Sequence, residues 1–124
     1  MREEKTLLEF ETYLFGLKGN KEGFLKIPTE RYELTNERLK IAKQGLMTAT
    51  KNDIELYRIK DITVMQKLKD KIIDVGDIEI ISTDASSPKL VLKRIKNPND
   101  VREKIRSAAR DAREAAGVSY RVDL

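Results

Sequence analysis

Asn97-Pro98-Asn99-Asp100-Val101-Arg102-Glu103-Lys104-Ile105-Arg106-Ser107-Ala108-Ala109-Arg110-Asp111-Ala112-Arg113-Glu114-Ala115-Ala116-Gly117 reads as one helix with both ends marked. Asn97 suits an N-cap, Pro98 the first helical position, and Asp100 the first turn, where the helix dipole favours an anion. Val101, Ile105, Ala108, Ala109, Ala112 and Ala116 recur at i, i+4, i+7, i+8, i+11 and i+15, a single apolar stripe. Gly117 supplies the stop. Small alanines over most of the stripe let the helix approach its partner surface closely. The preceding sequence must therefore build that surface.

The preceding residues follow a strand period. Tyr32-Glu33-Leu34-Thr35 and Arg38-Leu39-Lys40-Ile41-Ala42-Lys43 alternate apolar and polar around a two-residue turn, Asn36-Glu37. This predicts a hairpin with Leu39, Ile41 and the stem of Lys43 on one side and Arg38, Lys40 and Ala42 on the other. Gly45 permits a second turn into a strand from about Met47, whose pattern Ile54 and Leu56 continue. Ile78 to Ser82 and Lys89 to Lys93 form another pair, joined by the polar stretch Ser82 to Pro88. Two stretches fit either period. Ile62, Met65, Leu68 and Ile72 make a helical face, whereas Ile62 and Val64 suit a strand. Residues 6–17 offer Leu8, Phe10, Thr12 and Leu14 at strand spacing, or Leu7, Phe10, Leu14 and Leu17 at helix spacing. The strand is favoured in both. Six or seven antiparallel strands followed by one helix predict a mainly β fold: a curved sheet or partly open barrel, plugged at one end by the helix.

Composition narrows function more by what is missing. The chain has 124 residues with Leu, Ile, Val and Phe at 34 positions, enough for one packed domain. Cys, His and Trp are absent. That removes thiolate nucleophiles, disulfides, Cys-type zinc sites and the commonest general base and metal ligand. What chemistry is left rests on carboxylates, Lys, Tyr, Ser and Thr, and no catalytic constellation appears, so the expectation is a protein that is not an enzyme and takes no cofactor, metal or small-molecule substrate. Asp74, Asp77 and Glu79 lie near Gly76 but lack EF-hand spacing. The net charge of +4 is a mild basic tilt. No apolar run is long enough to span a bilayer, and Met1-Arg2-Glu3-Glu4-Lys5 lacks the apolar core of an export signal, so the cytoplasm is the expected compartment.

Four segments in order resemble the bacterial pleckstrin-homology-like domain family. They are Tyr32-x-Leu34-Thr35-x-x-Arg38-Leu39 followed by Gly45, then Ile54-x-Leu56-x-x-Ile59-x-x-Ile62-x-Val64, then Val75-Gly76-Asp77-Ile78-x-Ile80, and the Asn97-Pro98 helix start. The resemblance covers about residues 24–116. It implies a seven-stranded bent barrel, or two packed sheets, capped by the C-terminal helix, and it tips residues 62–66 toward strand. The expected division is 1–23 as an N-terminal strand or helix with a Gly-rich connection, 24–117 as the domain with its helix at about 98–116, and 118–124 as a tail. Relatives that grip phosphoinositides do so with Lys and Arg around a long first hairpin loop. The hairpin read here, Thr35-Asn36-Glu37-Arg38, is short and carries an acid, which departs from an inositol-phosphate pocket. Within the pattern, Tyr32, Leu34 and Leu39 read as core, Thr35 and Asn36 as turn chemistry, and Gly45 and Gly76 as suppliers of positive φ.

The polar feature that invites a binding role is Arg102, Arg106, Arg110 and Arg113, at i, i+4, i+8 and i+11 on one helix face. Like charges at that spacing cost a helix roughly 0.2–0.5 kcal/mol per pair. The row is either a solvated face relieved by Glu103, Asp111 and Glu114, with Asp100–Lys104 and Arg110–Glu114 as pairs, or a site for an anionic partner. Arg38, Lys40, Lys43 and Lys51 fit a solvated strand face, and Lys67, Lys69 and Lys71 flank Leu68 in a loop where Asp70 and Asp74 dilute their charge. The expected role is a non-catalytic interaction module that binds a protein partner or itself. The alternative is a peripheral contact of the basic helix face with an anionic membrane. Nucleic acid fits less well, since the helix has no aromatic side chain on which bases could stack.

Overall fold

A computed structural model of the chain describes residues 3–13, 29–44, 47–86 and 88–117. Alternation in the sequence becomes seven strands: β1 (Thr6–Glu11), β2 (Thr29–Thr35), β3 (Arg38–Gln44), β4 (Ala49–Glu55), β5 (Ile59–Met65), β6 (Val75–Ser82) and β7 (Lys89–Lys96). One helix, α1 (Pro98–Ala116), follows them. The strands form two antiparallel sheets, β1-β2-β3-β4 and β5-β6-β7. They are two open sheets packed on a shared core, with α1 across the short turn Leu56–Arg58, β5 and β6.

Register explains the core. Leu34 pairs with Leu39 and Tyr32 with Ile41, so the period-2 pattern puts all four on the inner face. They join Ile54, Ile78, Ile80 and Leu92, and from the helix Val101, Ile105, Ala108, Ala109 and Ala112, all buried. Phe10 stacks on Tyr32 with ring centroids 5.0 Å apart, which fixes β1 onto the sheet. The two-residue turn is stapled as its chemistry suggests. The Thr35 hydroxyl accepts the Glu37 and Arg38 N–H groups at 3.0 and 2.8 Å.

Several local expectations are corrected. Leu56 is buried but opens a one-turn 3-10 helix instead of extending β4, and Met47 lies outside β4 and is exposed. Lys43 is exposed as well. The residues 14–17 weighed for the first strand, and the Gly45 turn, lie outside the described residues. Asn97 does precede α1, but with φ 51° and no side-chain cap. Its carbonyl accepts the Asp100 and Val101 N–H groups instead. Gly117 ends the helix in extended backbone, φ −172°, which any residue adopts. Gly76 has no positive φ. It is a close approach of β6 to the Met65 carbonyl and Pro98. Positive φ falls instead at Asp74, Arg94 and Asn97. Gly76 faces Ile95 and Ile78 faces Leu92, so Asp77 opposes two residues, a bulge that turns Arg94. The Asp77 carboxylate accepts the Arg94 N–H at 3.0 Å and holds the bulge. Finally, β1 pairs with β2, so the short acidic turn after Thr35 joins the second and third strands.

A polar brace ties residue 4 to the sheet. Arg38 binds Glu4 through two nitrogens at 2.8 and 3.1 Å and reaches Asp53 on β4 at 3.1 Å. The Arg38 and Thr35 hydrogen bonds hold the Glu4 carboxyl down to about 2 from its ordinary 4.5. A depressed acid stabilises the fold above its unfolded value and loses that contribution as pH falls through the folded one. The melting-temperature gap between the native chain and Glu4→Gln is therefore expected to be constant above pH 4.5 and to close between 4.5 and about 2. Thermal melts across that range check it, and a gap that ignores pH would contradict the brace.

Candidate functional site

Two concave regions compete. The larger, about 960 Å³, lies along β1 to β4. Its charges balance: Glu9, Glu11, Glu33 and Asp53 stand against Arg31, Arg38, Lys40 and Lys51. Several are already paired, Arg38 with Asp53 at 3.1 Å and Lys40 with Glu33 at 4.0 Å. A balanced, internally paired surface offers an ionic partner little net attraction.

The smaller groove, about 200 Å³, runs between β5 and α1. Ile59, Ile62 and Ala109 are buried beneath it, and its rim carries Lys60, Arg102, Arg106, Arg110 and Arg113 against the single acid Asp61. Charge density, not size, makes this the candidate site.

The fold divides the arginine row into two kinds. β5 is an edge strand, and its outward carbonyls need donors. Arg102 donates through Nε to the Ile62 carbonyl at 3.0 Å, and Arg113 donates to the Ile59 carbonyl at 2.9 Å. These two arginines clamp the helix to β5 at both ends of the groove. Arg106 and Arg110 are exposed. Glu103 lies 2.5 Å from Arg102 and 3.6 Å from Arg106, in place of the Asp100–Lys104 and Arg110–Glu114 pairs expected from spacing. Arg110 has no ion pair among the described residues. All four arginines thus line one groove, but only the middle two present their charge outward. The fold adds Lys60, which no helical spacing could have linked to the row. Its one signal in sequence is its place beside Ile59, the first residue of β5.

Among the described residues no three His, Cys, Asp or Glu are grouped to hold a metal. Outside the groove, the pKa of the Tyr32 hydroxyl is pushed up by burial and by its hydrogen bond to Glu30. No helix among the described residues is long and apolar enough to cross a membrane.

A crystal structure of a DUF1696 family protein with a pleckstrin-homology domain, from Shewanella loihica PV-4, superposes with a TM-score of 0.48 at 18% identity, covering 85% of this chain and 97% of that one. A search of curated proteins finds no match. The family model described as Bacterial PH domain matches residues 23–109, which take in β2 to β7 and the first half of α1. The helix start after Asn97 and the four sequence segments fall inside that span, β1 lies ahead of it, and the chain belongs to the bacterial PH domain family.

Proposed function

We propose that the chain is a non-catalytic binding module that takes an acidic segment of a protein partner in the groove between β5 and α1. The observation that supports this is the set of five cations that line the groove with one acid over an apolar floor, Glu103 at the edge engaging Arg102 and Arg106. A groove of about 200 Å³ has room for one or two carboxylate side chains with a neighbouring aliphatic group. Arg102 and Arg113 are held in place by their carbonyl bonds, so part of the ordering cost of binding is met before the partner arrives. Arg106 and Arg110 supply the outward charge and the steering.

A labelled peptide rich in Glu and Leu, titrated by fluorescence anisotropy at low and moderate salt, tests the proposal. The native chain is expected to bind more weakly as salt rises. Arg106→Glu with Arg110→Glu is expected to lower affinity by about tenfold or more, whereas Lys89→Glu, on β7, leaves it unchanged. Equal affinity in the double variant, or no binding at low salt, would overturn the assignment. Loss of anionic-vesicle binding in the same variant, with no peptide binding by the native chain, would move the site to lipid.

A further inference from the structure

We propose that the β5–β6 connection, residues 66–74, anchors this protein at a bilayer carrying anionic lipid, with Leu68 and Ile72 entering the interface and Lys67, Lys69 and Lys71 meeting the headgroups. This goes beyond the groove and does not depend on it. Leu68 and Ile72 are 83% and 87% exposed, close to the limit for side chains of that size. An exposed leucine alone needs no explanation, but two bulky aliphatics at the tip of one loop are a different matter.

The loop is held in shape. Gln66 donates to the Asp74 carboxylate at 3.1 Å and to the Val75 carbonyl at 3.2 Å. The Asn97 N–H reaches the Asp74 carbonyl at 2.9 Å, and the Lys96 ammonium donates to the Ile73 carbonyl. One 3-10 turn, Leu68–Lys71, makes the tip. The aliphatic pair is thus presented by a fixed frame, with Met65 on the adjoining end of β5 also exposed, at 43%.

The charge around the pair selects the occupant. Lys67, Lys69 and Lys71 are all exposed, while Asp70 is half-buried and Asp74, itself exposed, is engaged by Gln66. Aliphatic tips ringed by lysines match the two layers of an anionic interface, acyl chain below and phosphate above. Lysine stems can lie along the apolar layer while their ammonium groups stay with the phosphates.

Because the chain has no Trp, Leu68→Trp gives a single reporter at the tip. With vesicles of phosphatidylcholine plus phosphatidylserine, its emission is expected to shift blue and to be quenched by acyl-brominated lipid, with pure phosphatidylcholine giving much less. In co-sedimentation, Leu68→Asp with Ile72→Asp is expected to lower partitioning onto the mixed vesicles by at least about tenfold. Both positions are exposed, so thermal melts should show these variants folded. Emission unmoved by mixed vesicles would overturn the proposal, whether or not the chain sediments with them. So would a blue shift that grows with protein concentration in lipid-free buffer, which would assign the loop to a protein contact. Partitioning that survives Leu68→Asp/Ile72→Asp but falls with Arg106→Glu/Arg110→Glu would place the lipid contact on α1 instead.

Discussion

Ile105→Ala is expected to lower the unfolding free energy by about 2–5 kcal/mol. For a domain of this size that is a fall of roughly 8–20 °C in melting temperature. Ile105 is fully buried at the centre of the alanine stripe, where α1 crosses the Leu56–Arg58 turn, β5 and β6. Its neighbours Ala108, Ala109 and Ala112 are too short to fill the space the three lost carbons would leave. Lys104→Ala, one residue away on the exposed face, is expected to stay within about 0.5 kcal/mol. Urea melts of both variants check the contrast. Equal, small effects would mean that the helix does not close the core.

The second large effect is expected at Gly76, a residue that sequence reading credits with a turn. A Cβ there would stand 2.5 Å from Gln66 Cγ, 2.9 Å from the Met65 carbonyl oxygen and 3.3 Å from Pro98 Cγ. The glutamine can swing aside, but the carbonyl belongs to the paired strand β5 and cannot. Gly76→Ala is expected to cost about 1–3 kcal/mol, and Gly76→Val more, because β6 must move away from β5 or from the start of α1. The comparison residue is Gly117, whose extended φ tolerates a side chain, so Gly117→Ala should be neutral within about 0.5 kcal/mol. Thermal melts by circular dichroism decide between the two roles. A neutral Gly76→Ala would contradict the close approach.

These two glycines show what the sequence could and could not reveal. Period carried the main elements. Tyr32 to Thr35 and Arg38 to Lys43 each alternate on either side of one polar turn, so the Asn36-Glu37 hairpin and its buried face were legible in the sequence. The stripe from Val101 to Ala112 likewise named the helix face that is buried. Both signals are local, repeating every two residues or every turn. What stayed hidden depends on contacts between distant segments. Gly76 is defined by Gln66 and Pro98, ten and twenty-two positions away, and no turn pattern distinguishes such a glycine from one that needs positive φ.

The apolar series Ile62, Met65, Leu68 and Ile72 shows the same limit from the other side. Ile62 is buried in β5, while Met65, Leu68 and Ile72 face water. Spacing alone treats all four as one face, and only the end of β5 at Met65 separates them. At the candidate site the row Arg102, Arg106, Arg110 and Arg113 was legible as a row, because helical spacing is local. That its outer members donate to Ile62 and Ile59 was not, since no property of an arginine in sequence names the carbonyl it will meet. Lys60 joined the groove for the same reason, through the packing of β5 under α1.

The groove, its clamping arginines and the closed core all require one thing, that α1 be docked. Amide hydrogen exchange followed by NMR tests this most directly. Docked, the amides of Ile105 to Ala112 should exchange as slowly as those of Ile78 to Ile80 in the central strand β6, because both open only with the whole domain. Helix amides exchanging orders of magnitude faster than a protected β6 would show α1 leaving the sheets on its own, and the basic groove with it.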